Sequence, residues 1–154
     1  MASTETTEKL HGRAVRQYSV FLANRVGALM QVVKMLNEAR VVVLALSIQD
    51  SSETSIARII VSDPEMLEEL FGRNDIPYGV CDVVVAELEE GASDLPRLLA
   101  ALLEAEVNIL FSYTLLVRPR GRPLLAIHTD DLECASAVLG SRGFRLLRQT
   151  DLSR

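Results

Sequence analysis

Tryptophan is absent from the 154 residues, and the other aromatics are few: four Phe and three Tyr. So few rings argue against the stacking platforms that read single-stranded RNA, and several of them fall in strand-like runs where core packing claims them. A basic excess is missing too. Sixteen Lys and Arg against 21 Asp and Glu leave a formal charge of −5, which argues against nucleic acid as a partner. The two cysteines, Cys81 and Cys134, form no CxxC pair and have no histidine at ligand spacing. They read as reduced, mostly buried thiols of a cytoplasmic protein. No apolar run approaches the roughly 20 residues of a membrane span, and the polar, acidic start Met1–Lys9 resembles neither a signal nor a transit peptide. His11 and His128 have no second ligand at recognisable spacing, and GxSxG, HExxH and P-loop spacings do not occur. No metal, no cofactor and no catalytic residue is therefore expected, and the chain is not read as an enzyme.

What the chain does contain is a repeat. Residues 37–44 (NEARVVVL) align with residues 103–110 (LEAEVNIL), 66 positions later. The same offset lays Tyr18–Leu22 over Val84–Leu88, and Leu29–Leu36 over Leu95–Leu102, without a gap. Such a period is too long for a solenoid unit and suits a small α+β domain. With 49% hydrophobic residues, a chain of this length buries about 70% of its unfolded surface and needs no disulfide staple.

Periodicity predicts the same elements in each copy. In the first, residues 16–22 read as a strand, 26–39 as a helix with Leu29, Val32, Val33 and Leu36 on one face, and 41–49 and 54–61 as a hairpin. A second helix follows, capped by Ser62 or Asp63 with Pro64 in its first turn, burying Met66, Leu67, Leu70 and Phe71 and stopping near Gly72. In the second copy the expected elements are helix 94–106, strand 107–117, turn 118–122, strand 123–129, helix 131–140 and strand 144–149. One long strand, 79–89, must end the first unit and begin the second. The expected architecture is α+β: two ferredoxin-like β-α-β-β-α-β units in tandem, antiparallel sheets with helices on one face, joined by that shared strand. The expected division is a disordered tail at 1–13, a first unit at 14–80 and a second at 81–154.

The loop Ala23-Asn24-Arg25-Val26-Gly27-Ala28-Leu29 resembles the Asn-Arg-Pro-Gly-x-Leu turn of ACT domains, the amino-acid-binding regulatory modules of enzymes such as phosphoglycerate dehydrogenase. Glu106-Val107-Asn108-Ile109 resembles the family's Gly-Val-Asn-Ile phrase. The chain is most similar to stand-alone tandem ACT proteins of bacteria. The resemblance implies a small amino acid bound at the seam between the units, contacted by Asn24, Arg25, Val26, Gly27, Ala28 and Leu29 and by an Asn reaching across at position 108. Physical chemistry agrees with this use of the loop. Gly27 permits close backbone approach, and the first turn of the following helix offers free N–H groups to a carboxylate.

The copies differ where the chemistry lies. Val42 stands at the Asn108 position of the first copy, and Glu90 and Ser93 stand at the Asn24 and Gly27 positions of the second. One working site is expected, and its pseudo-symmetric counterpart, with adjacent glutamates in its loop, is expected to be degenerate. The arginines Arg118, Arg120 and Arg122 read as a solvated hairpin tip or, alternatively, as a docking surface for an acidic partner. Expected partners are a small-molecule amino acid, a metabolic enzyme or regulator and a second copy of the chain as homodimer; no membrane contact is expected. The competing reading is an interaction module without ligand that pairs sheet edges with itself or an enzyme.

Overall fold

The computed structural model describes residues 14–23, 27–50 and 53–153. The expected tail, and Asn24, Arg25 and Val26 of the expected ligand loop, lie outside the described residues. Alternation sets the first strand, β1 (Val15–Ala23): Tyr18, Val20 and Leu22 are buried on one face. Against that face packs helix α1 (Ala28–Glu38), through Val32 and Leu36. The hairpin of β2 (Val43–Asp50) and β3 (Thr54–Val61) follows. Helix α2 (Pro64–Arg73) begins where Asp63 Oδ1 accepts the Met66 N–H at 3.1 Å. Ser62, the other candidate cap, accepts the Val42 N–H instead.

Strand β4 (Tyr78–Glu87) belongs to both units. Its first half pairs antiparallel with β1, from Val20↔Tyr78 to Val15↔Val83. Its second half pairs on one side with β6 (Leu124–Thr129) and on the other with β7 (Leu146–Leu147). Between them the chain forms a 3₁₀ turn (Gly91–Asp94), helix α3 (Leu95–Glu104), β5 (Ile109–Thr114) and helix α4 (Leu132–Ser141), and it ends in a short α5 (Gln149–Leu152). The sheet order is β2-β3-β1-β4-β6-β5, with β7 beside β4. Two expected strands are shorter than their sequences suggest. The 107–117 run stops pairing regularly at Thr114, and the 144–149 run contributes only Leu146 and Leu147. Asp151 Oδ2 accepts the Arg148 N–H at 2.8 Å and turns that segment into α5.

Both helix layers pack on the same outer face of the sheet, over Tyr18, Val20 and Ile59 in the first unit and Val84, Ala86 and Ile127 in the second. The inner face curls on itself around a third core shared by the units, made of Val15, Leu44, Ile60, Val83, Val85, Leu124, Ala126 and Leu147. A bulge at the same place in each copy, after Val43 in β2 and after Ile109 in β5, helps the curl. The curl brings the two edge strands together: the Leu116 N–H donates to Leu44 O at 2.7 Å.

All four long helices end alike. Arg40, Asp75, Glu106 and Gly143 take positive φ (60°, 52°, 56° and 85°) just past the helix ends. The next residues, Val41, Ile76, Val107 and Phe144, each donate back to the carbonyls of Leu36, Phe71, Leu102 and Leu139. This is the double-bonded C-terminal closure in which a left-handed residue reverses the chain, and it drops an apolar side chain into the core after every helix.

Candidate functional site

In the first unit, Gly27 precedes α1 at φ 90°, a conformation costly for any residue with a Cβ. Among the described residues, no atom lies within 4 Å of where a Cβ would sit at Gly27. Its carbonyl accepts the Gln31 N–H at 3.0 Å, and among the described residues no side chain caps the helix start. Ala28 and Leu29 follow, both half-buried against the outer core of the first unit.

Asn108 lies just before β5 and is tied to Asp130. Its Nδ2 donates to Asp130 Oδ2 at 2.8 Å, its backbone N–H donates to Oδ1 at 3.0 Å, and its carbonyl accepts the Asp130 N–H. These bonds, the side-chain one first, hold the Asp130 carboxyl below the ordinary carboxylate range. They also leave the amide oxygen of Asn108 without a partner among the described residues, beside a carboxylate. Such a pair of acceptors suits an ammonium group. Strand register puts the end of β1 and the start of β5 toward the same end of β4, the Tyr78 end. Among the described residues no hydrogen bond joins Asn108 to Gly27, Ala28 or Leu29.

At the corresponding loop of the second unit, a buried carboxylate closes the turn that leads into the helix. Asp94, only 6% exposed, accepts the Glu90 N–H at 2.9 Å and pairs with Arg97 at 3.3 Å. The Glu90 N–H, with help from Arg97, holds its carboxyl below the usual range. Ser93 Oγ bonds Glu90 O at 2.8 Å and closes the turn. Asp94 thus braces the 3₁₀ turn that leads into α3; among the described residues no side chain caps the first N–H groups of α3 or of α1.

Sequence reading did not single out Asp94 or Asp130. Both are Asp residues beside a helix start, a signal shared with every ordinary cap. It also kept Arg120 and Arg122 on the hairpin tip, whereas both reach Glu87 at the end of β4, at 3.7 and 3.3 Å. His128 stacks on Phe111 with centroids 4.8 Å apart, and among the described residues no group of His, Cys, Asp and Glu gathers as metal ligands.

Comparison with known proteins bears on most of the chain. The family described as ACT domain pair matches residues 13–154. A crystallised protein from Bacteroides thetaiotaomicron is 26% identical, with a TM-score of 0.83 over 92% of this chain and 96% of that one. The regulatory subunit of aspartate kinase from Thermus thermophilus, in its ligand-free form, shares the fold at 15% identity and a TM-score of 0.56, covering 84% of this chain and 93% of its own. The corresponding subunit from Thermus flavus is similar at 15% identity and a TM-score of 0.51, with the same coverage. No match was found among curated protein sequences. With the doubled β-α-β-β-α-β order and the shared strand, the match over residues 13–154 establishes that the chain belongs to the ACT domain pair family.

Proposed function

We propose that this chain is a non-enzymatic, cytoplasmic regulatory protein that senses a small amino acid at the seam between its two units. Asn24, Arg25, Val26, Gly27, Ala28 and Leu29 receive the ligand's carboxylate, and Asn108 with Asp130 receives its ammonium. The observation that carries this reading is the difference between the two loops: Asp94, through Glu90 and Arg97, closes the turn before α3, whereas Gly27 takes φ 90° before α1 with no atom of the described residues within 4 Å of where a Cβ would sit. An exposed helix N-terminus favours an anion by about 0.3–1 kcal/mol, and more when partly buried. Micromolar to millimolar affinity, about −8 to −4 kcal/mol, suffices for sensing. The likeness to aspartate kinase regulatory subunits makes a metabolic enzyme the natural recipient of the signal.

A thermal-shift screen against the twenty amino acids, followed by calorimetry on each hit, tests the proposal. Binding should weaken about tenfold or more in Asn108→Ala and in Gly27→Val. No shift at millimolar amino acid sinks the reading. A second reading, an interaction module without ligand, draws on Leu95, Leu99 and Leu103, which lie exposed at four-residue steps along α3. It requires a homodimer or enzyme complex that Leu103→Glu disrupts, seen by sedimentation in the absence of any amino acid.

A further inference from the structure

At the opposite end of β4 from the seam site lies a cleft of about 70 Å³, lined by Glu87, Glu89, Arg97, Arg120, Arg122, Arg145 and the Gly143–Phe144 backbone turn. Four guanidinium groups meet two carboxylates there, in a chain whose net charge is −5. Glu87 is the buried member, 4% exposed, and its Oε1 lies 3.3 Å from Arg122 and 3.7 Å from Arg120. Arg122 also reaches Glu89 at 3.0 Å. Arg97 is committed elsewhere: it stacks on Phe144 at 3.9 Å, donates to Arg142 O at 2.8 Å and pairs with Asp94.

That leaves three guanidiniums whose donors are largely unused. Arg122 engages only its Nη1, Arg120 makes a single long ion pair, and the Arg145 guanidinium makes no hydrogen bond or ion pair among the described residues, although its carbonyl accepts the Glu87 N–H at 2.9 Å. Three guanidiniums against Glu87 and Glu89 leave one positive charge in excess of what the two carboxylates require. A guanidinium offers several N–H donors in a flat fork that fits a carboxylate or phosphate two bonds at a time. The cleft has room for one such group and not for a nucleotide.

We propose that this cleft is a second ligand site that takes a compact oxyanion, the carboxylate or phosphate group of a small metabolite, on Arg120, Arg122 and Arg145. Glu87 acts from beneath as a positioning residue that holds Arg120 and Arg122 toward the cleft. Nothing in this assignment depends on the seam site, which lies at the other end of the shared strand.

The test measures thermal shift and calorimetric binding of the full chain with inorganic phosphate and, separately, with succinate, each against sodium chloride of equal ionic strength. A shift with phosphate alone assigns a phosphate group, and one with succinate alone assigns a carboxylate; a shift with both supports the shared chemistry. Arg145→Ala and Arg120→Ala alter exposed side chains and should each weaken binding about tenfold or more, the scale of a lost charge-assisted bond. Asn108→Ala should leave it unchanged, which separates this site from the seam. The proposal is overturned if neither anion exceeds the chloride control, or if the shift survives both arginine substitutions unaltered.

Discussion

Tyr113 donates its hydroxyl hydrogen to Gln17 Oε1 at 2.9 Å, from the second unit to the first, across the core they share. Gln17 is 0% exposed, and its Nε2 bonds Ser19 Oγ at 3.1 Å and Cys81 Sγ at 3.3 Å. Burial pushes the Tyr113 hydroxyl above its ordinary range, so it stays a donor. Tyr113→Phe should therefore cost about 1–3 kcal/mol, the penalty for orphaning a buried acceptor. Adding Gln17→Met should cost less than the two single changes summed. A double-mutant cycle by urea denaturation reads the coupling, and simple additivity contradicts it.

Three of the four left-handed helix closures are made by residues with a side chain: Arg40, Asp75 and Glu106. Glycine relieves that strain, so Arg40→Gly and Glu106→Gly should each stabilise the fold by about 0.5–1 kcal/mol despite glycine's greater unfolded entropy. Gly143→Ala, at φ 85°, should destabilise by about 1 kcal/mol. Thermal denaturation distinguishes the two directions.

Asp130 gives the candidate site a pH signature. Its folded pKa lies below the ordinary 3.8, so its contribution is present above that value and is lost as pH falls through the lower, folded one. In Asn108→Ala the Asp130 titration should move up toward 3.8, followed by carboxyl-carbon NMR, because the largest cause of the shift has gone. An unmoved titration contradicts the pairing.

Strand β4 and the inner core tie the units into one folding body. Calorimetry should show a single transition rather than two. Cutting the chain between residues 80 and 81 severs β4, and neither fragment should keep native secondary structure alone. Two separate transitions in the intact chain contradict this account.

Much of the fold was legible because the copies corroborate each other. The 66-residue offset holds structurally through the helix closures at Arg40 and Glu106. It becomes 68 at the caps Asp63 and Asp131, where the second hairpin is two residues longer. The inner core was less legible. Leu44 and Ala45 both enter it because a bulge breaks the alternation from which strand faces are read. Gln149 looked like the end of a strand; it is instead a buried amide, donating to Val61 O at 3.1 Å and accepting the Arg16 N–H at 3.3 Å. Asn108 entered as a candidate through its resemblance to the family's Gly-Val-Asn-Ile phrase, whereas the arginine cleft draws on four separate segments that only the folded sheet brings together.

The contact between Leu116 and Leu44 changes how the two units can move. Two domains hung from one strand would open like the pages of a book, with β4 as spine. Here the free margins are fastened by a backbone bond, and the seven strands form a hoop with a clasp. Any ligand that alters the angle between the units must first strain or release that clasp. Relative motion of the units is then a change in the tension of a ring.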